Sequence, residues 1–141
     1  MKRQTTWKNP VQGNDLFQCE DFSSAVRCYS IALGHMTRIV NHNKATYKLL
    51  GILLSNRAIS FLSLETQRSS VEFWKALVSY AEKDCNTALE SSWAVSSLPK
   101  SILDKLHFRR DKASARHHTL NCQYEHLSDF MFSNSQSDEE N

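Results

Sequence analysis

Apolar residues recur at Ala25, Cys28, Tyr29, Ala32 and Leu33, spaced i, i+3, i+4, i+7 and i+8, which lays one stripe along an α-helix. A second stripe runs through Trp74, Leu77, Val78, Ala81, Cys85, Ala88 and Leu89, and three of its members repeat the first: Ala25, Ala32 and Leu33 return as Ala81, Ala88 and Leu89, each 56 positions later. One offset serving three positions argues for duplication of a helical unit. Alanine at such places lets two antiparallel helices approach closely, while larger neighbours fill the grooves between pairs. A third stripe, Tyr47, Leu50, Leu54, Ala58, Phe61 and Leu62, extends over Lys44 to Glu65. With 3 glycines and 2 prolines in 141 residues, the chain holds too little turn chemistry for a sheet-rich fold, so an all-α domain is expected.

Boundaries follow from caps and breakers. Asn9-Pro10 reads as a helix start, because asparagine caps well and proline at the first helical position loses no intrahelical bond. That helix ends near Glu20-Asp21, and Ser23-Ser24 are expected to cap the next. Asn41-His42-Asn43 breaks the chain before the long third helix, and Thr66 to Ser70 separates that helix from one running from Val71 to Glu90. Ser91-Ser92 and Ser96-Ser97 bracket a loop around Trp93. Pro99 then opens a fifth helix towards Leu120, and Tyr124 to Phe130 suggests a short sixth. The expected organisation is an N-terminal tail over 1–8, a helical domain over 9–130 and a disordered acidic tail over 131–141, since nothing apolar is left to bury from Ser133 onward.

Charge and cysteine usage narrow the function classes. A net charge of +2 from 17 basic and 15 acidic residues is too balanced to predict nucleic-acid or membrane binding. The most basic stretch, Lys100, Lys105, Arg109, Arg110, Lys112 and Arg116, has no aromatic ladder beside it and reads as a solvated helix face. Four widely spaced cysteines, Cys19, Cys28, Cys85 and Cys122, imply a reduced cytosolic or nuclear setting with the thiols packed as small apolar groups. Leu49 to Leu64 is interrupted by Asn56 and Arg57 and falls short of the roughly 20 apolar residues of a membrane span. His118, Cys122 and His126 lie at i, i+4 and i+8, but the outer pair would stand about 12 Å apart along a straight helix, too far to share one zinc ion. No metal or cofactor is expected. No nucleophilic triad, phosphate-cradling glycine loop or paired-carboxylate site is recognisable, so catalysis is not expected either.

Gly13-Asn14-Asp15-Leu16-Phe17, followed by Asp21-Phe22-Ser23-Ser24-Ala25-Val26-Arg27-Cys28-Tyr29-Ser30-Ile31-Ala32-Leu33, resembles one whole tetratricopeptide repeat (TPR) of the co-chaperone type. Leu54 to Ala58 resembles the first helix of a second repeat, Ala81 to Leu89 its second helix, and Lys105 to Ala113 the start of a third. The resemblance covers roughly residues 9–130. The family's period is about 34 residues, so the observed displacement equals one period plus about 22 inserted residues, absorbed in long hairpins. It implies a TPR-like α-solenoid of antiparallel helical hairpins with about five to six helices.

The resemblance also implies a function and a site. Co-chaperone TPR domains grip the free C-terminus of a heat-shock chaperone with a two-carboxylate clamp of two lysines, two asparagines and an arginine. Asn14 and Asn56 fall at the two asparagine positions, and Lys105 and Arg109 at the third repeat's lysine and arginine. The first lysine position holds Pro10 instead, with Lys8 nearby. Independently of the family, Lys105 and Arg109 are i, i+4 and therefore place two cations side by side. A carboxylate accepts charge-assisted bonds from such a pair, and asparagine amides add neutral donors. The expected function is a non-catalytic adaptor whose groove binds an extended peptide tail. Stretched repeats of this kind also resemble the helical arms of methyltransferases carrying SET and MYND modules, which leaves open a TPR arm of a larger enzyme.

Overall fold

The computed structural model describes residues 10–39, 41–67 and 74–140, with side-chain surroundings described between residues 12 and 123 of those ranges. In chain order come α1 (Pro10–Gln18), α2 (Phe22–Met36), α3 (Lys44–Gln67), α4 (Trp74–Leu89), the short α5 (Ala94–Ser97) and α6 (Lys100–Glu140). No strand occurs among the described residues. Among the described residues the all-α reading therefore holds, in six helices. The tail over 1–8, the cap at Asn9 and the expected start of the fourth helix at Val71 lie outside the described residues.

Local chemistry sets the boundaries. Glu20 takes φ 62°, in the left-handed region. Its N–H bonds the Phe17 carbonyl at 2.9 Å and that of Asp21 bonds the Leu16 carbonyl at 2.9 Å, the paired bonds of a Schellman turn that closes α1. Asp21 then caps α2, its carboxylate accepting the Ser24 N–H at 3.2 Å. Ser23 and Ser24, expected as caps, lie inside the first turn instead. The Schellman turn delivers Asp21 to the cap position first, and a carboxylate there also complements the helix dipole. Asn43 and Thr46 exchange bonds at the start of α3, Thr46 N–H to Asn43 Oδ1 at 2.9 Å and Asn43 N–H to Thr46 Oγ1 at 2.8 Å, a reciprocal cap.

At the other end, the fifth and sixth expected helices are one. α6 continues from Lys100 to Glu140, through residues 131–140 that were expected to be disordered. No glycine or proline follows Pro99, so no residue interrupts the i to i−4 ladder or terminates it.

Each main helix packs on its neighbour in the chain: α1 on α2, α2 on α3, α3 on α4 and α4 on α6, while α1 and α6 both also touch α3. The repeated alanines sit at the contacts. Ala25, Ala81 and Ala88 are fully buried and Ala32 nearly so, and Tyr29, Leu53, Val78, Cys85 and Leu106 fill the space around them. Gly13 is needed for the close approach of α1 to α2, since a Cβ there would meet the Tyr29 ring at 2.5 Å. Cys28 and Cys85 are buried as expected of small apolar groups, but Cys19 and Cys122 are exposed. Cys19 falls in the turn that ends α1, and Cys122 lies beyond Leu120, the last buried residue of α6 among those described.

Two arginines lock the stack. Arg57 of α3 forks onto Asp84 of α4, Nε to Oδ2 at 2.8 Å and Nη2 to Oδ1 at 2.7 Å, and its Nη1 donates to Ser30 Oγ of α2 at 3.0 Å. One guanidinium thus joins three consecutive helices. Arg116 of α6 makes a similar fork onto buried Glu65 of α3, with both bonds at 2.9 Å. Burial pushes the Asp84 carboxyl above its ordinary value, and the bonds and charge of Arg57 pull it partly back. A carboxyl raised in the fold costs stability when ionised, and that cost fades as pH falls through its folded-state value. Arg57→Met, which removes the compensation, is expected to lower unfolding free energy by about 3 kcal/mol at about pH 7. The deficit relative to wild type should shrink at a second, more acidic pH, as Asp84 gains a proton. Urea unfolding at the two pH values reads both terms, and a deficit independent of pH would contradict this account of Asp84.

Candidate functional site

Three helices contribute one wall each to a cleft of about 430 Å³. From α1 come Asn14, Phe17 and Gln18, at i, i+3 and i+4; from α3, Ile52, Ser55, Asn56 and Ile59, at i, i+3, i+4 and i+7; from α6, Ile102, Lys105 and Arg109, at i, i+3 and i+7. Tyr29 of α2 closes the floor. Asn14, Asn56, Lys105 and Arg109, predicted from the sequence as one constellation, all face this cleft. Pro10 is the first residue of α1, and Lys8 lies outside the described residues.

A chain of hydrogen bonds orients the polar groups. The Tyr29 hydroxyl donates to Asn14 Oδ1. Asn56 Nδ2 donates to the same oxygen at 3.2 Å. Arg109 Nη1 donates to Asn56 Oδ1 at 3.4 Å, to the Ser55 carbonyl at 2.9 Å and to Ser55 Oγ at 2.8 Å. Both asparagine oxygens are therefore occupied by donors of the protein. Of Asn14, Asn56, Lys105 and Arg109, the groups the protein leaves unbonded are N–H: the Asn14 amide nitrogen, the second hydrogen of the Asn56 amide, Nε and Nη2 of Arg109, and the Lys105 ammonium; the Gln18 amide beside them can both donate and accept.

Electrostatics sharpen this arrangement. Burial, with a smaller push from Cys28 and an opposing pull from Arg109, raises the Tyr29 phenol to about 12, so it stays protonated and keeps donating. Burial lowers Arg109 from its ordinary value, offset by Cys85 and Tyr29, and a guanidinium so placed remains a cation. No acidic residue lines the cleft, and among the described residues neither Lys105 nor Arg109 has an ion-pair partner. The stretch read as one solvated basic face divides by role. Lys100 pairs with Asp104, Arg110 with Asp111 and Arg116 with Glu65, whereas Lys105 and Arg109 keep their charge uncompensated in the cleft.

Other features do not make a comparable site. A hollow of about 340 Å³ between α3 and α4 is lined by Leu54, Arg57, Phe61, Tyr80, Lys83, Asp84 and Thr87, but its arginine is neutralised by its aspartate. His118 Nε2 stands 3.8 Å from Cys122 Sγ, and no group of three metal-ligating side chains occurs among the described residues. His126 lies beyond the residues whose side chains are described. No helix searched is long and apolar enough to cross a membrane.

Sequence reasoning missed the supporting half of the cleft. Tyr29 reads as a core residue of its stripe, Ser55 carries no signal of its own, and the isoleucines look like ordinary helix faces. Helical spacing from the predicted residues finds them: Ile52 and Ile59 are four before and three after Asn56, and Ile102 is three before Lys105. No family model matches the chain, and neither a curated protein nor a solved structure matches it.

Tyr29→Phe removes the donor that fixes the Asn14 amide. It is expected to lower stability by about 0.5–1.5 kcal/mol in urea unfolding, with the Asn14 side-chain amide becoming more mobile by NMR relaxation. An unchanged Asn14 amide would show that its orientation is set elsewhere.

Proposed function

We propose that this chain is a non-catalytic adaptor of TPR-like solenoid build, whose cleft docks the C-terminal carboxylate of an extended peptide. The observation that carries the reading is a cleft with two unpaired cations, two asparagine amides whose oxygens the protein already engages, and no acid. Two uncompensated cations and two amides present N–H groups, and every neighbouring acceptor of the asparagine side chains is already bonded. An anion is the ligand that such a surface leaves unsatisfied without it. A carboxylate can take the Arg109 edge and the Lys105 ammonium together, and the low-dielectric walls of Phe17, Ile52, Ile59 and Ile102 strengthen both contacts. Those apolar walls also favour a peptide carrying an aliphatic side chain next to its carboxylate over a bare inorganic anion.

Support for the solenoid comes from the order of packing, in which α3 touches both α1 and α6, and α2 and α4 join successive members. Asn14, Asn56 and Arg109 form one hydrogen-bonded row across those three helices. A heat-shock chaperone tail is the ligand that the TPR resemblance brings with it. Pro10 in place of the clamp's first lysine removes one charged contact, about 1.5–3 kcal/mol, so the affinity should be weaker than that of a complete clamp by roughly one to two decades.

Calorimetry with a synthetic chaperone C-terminal peptide tests the reading. The free acid is expected to bind, its C-terminal amide to bind at least about tenfold more weakly, and Lys105→Ala to lose roughly ten- to hundredfold in affinity with its fold intact. Equal binding of acid and amide would remove the proposal.

A further inference from the structure

The register of α6 against the rest of the bundle carries an acidic segment far from its own cleft. Arg109 bonds Ser55 and Arg116 bonds Glu65, so α6 runs parallel to α3 and draws level with its end, Gln67, shortly after Arg116. Ser114 bonds Glu82 and the His117 ring packs against Trp74, so the start of α4 lies at the same level. α6 nevertheless continues to Glu140, which carries it about 30 Å past both helices at 1.5 Å per residue. Residues 133–141 hold three acids, Asp138, Glu139 and Glu140, and no basic residue. Along the same helix they stand about 50 Å from Lys105. They cannot return to their own cleft while α6 stays helical.

We propose that the acidic end of α6 docks in trans in the donor cleft of a second copy of this chain, giving head-to-tail association. The inference rests on the anion-binding reading of the cleft and names a partner for it. Charge complementarity selects that partner. The cleft offers Lys105 and Arg109 without any acid, and the arm offers Asp138, Glu139 and Glu140 without any base. Side-chain carboxylates supply the same two-oxygen acceptor as a peptide terminus. A contact between two different surfaces of the same molecule is heterologous and propagates until its rotation closes a ring, so assemblies beyond a dimer are expected as concentration rises, and salt should shorten them.

Sedimentation velocity of the full chain over rising concentration reads the association. Lys105→Ala, and separately the triple variant D138N/E139Q/E140Q, are each expected to weaken it at least about tenfold. Mixing the two restores a dimer but nothing longer, because one variant still carries an intact arm and the other an intact cleft. A wild-type chain that stays monomeric at all concentrations, association that persists in both variants, or a mixture that fails to pair would each overturn the proposal. A synthetic peptide of residues 132–141, made as a C-terminal amide, separates the two levels of the argument. If it fails to bind while a free-acid chaperone peptide binds, the trans contact alone is wrong. If neither binds, the anion-binding reading of the cleft falls with it.

Discussion

A row of hydrogen bonds from Tyr29 through Asn14 and Asn56 to Arg109 and Ser55 ties α1, α2, α3 and α6 together, and everything argued about the cleft depends on it. Each bond has a direction. The phenol must donate, because burial keeps its proton, and that turns the Asn14 oxygen inward. The Asn56 amide follows, its nitrogen facing Asn14 and its oxygen facing Arg109. What the two asparagines leave for a ligand is therefore N–H. Packing makes the row achievable, since only with Gly13 against the Tyr29 ring do α1 and α2 come close enough to start it.

Three arginines on or against α3 show how charge is assigned in this fold. Arg57 and Arg116 are closed by Asp84 and Glu65, carboxylates almost wholly buried, and they act as rivets between helices. Arg109 is about as deeply placed but has no carboxylate opposite it, and only one of its nitrogens is engaged by the protein. A buried cation without a counter-charge is costly to leave alone. The cleft has no acid among its lining residues, whereas in the hollow between α3 and α4 Asp84 closes Arg57.

Helical periodicity made the main helices legible in the sequence, because each stripe had to face a core and only a period near 3.6 places those residues together. The repeated alanines were equally readable as close-contact positions. Caps were harder: Ser23 and Ser24 satisfy the local rule, but the left-handed turn at Glu20 decides the register and hands the role to Asp21. The length of α6 is not legible in the sequence because the polar residues after Phe132 suggest a tail, whereas continuation of a helix needs only the absence of a terminator. In the cleft, Asn14, Asn56, Lys105 and Arg109 were legible through spacing and family resemblance. Their orientation was not. It depends on Tyr29 and Ser55, separated from their partners by 15 and 54 positions, and on which acids happen to meet which arginines across helices.

The proposed function requires the cleft to hold preoriented donors for an anion. The most direct measurement of this is an NMR titration that follows the Asn14 and Asn56 side-chain amides and the Arg109 Nε–H with N-acetyl-valine, alongside its methyl ester as the neutral twin. The account predicts that all three signals shift together along one saturable curve with the acid and scarcely move with the ester. Shifts confined to Lys83 and Tyr80, or identical curves for acid and ester, would contradict it.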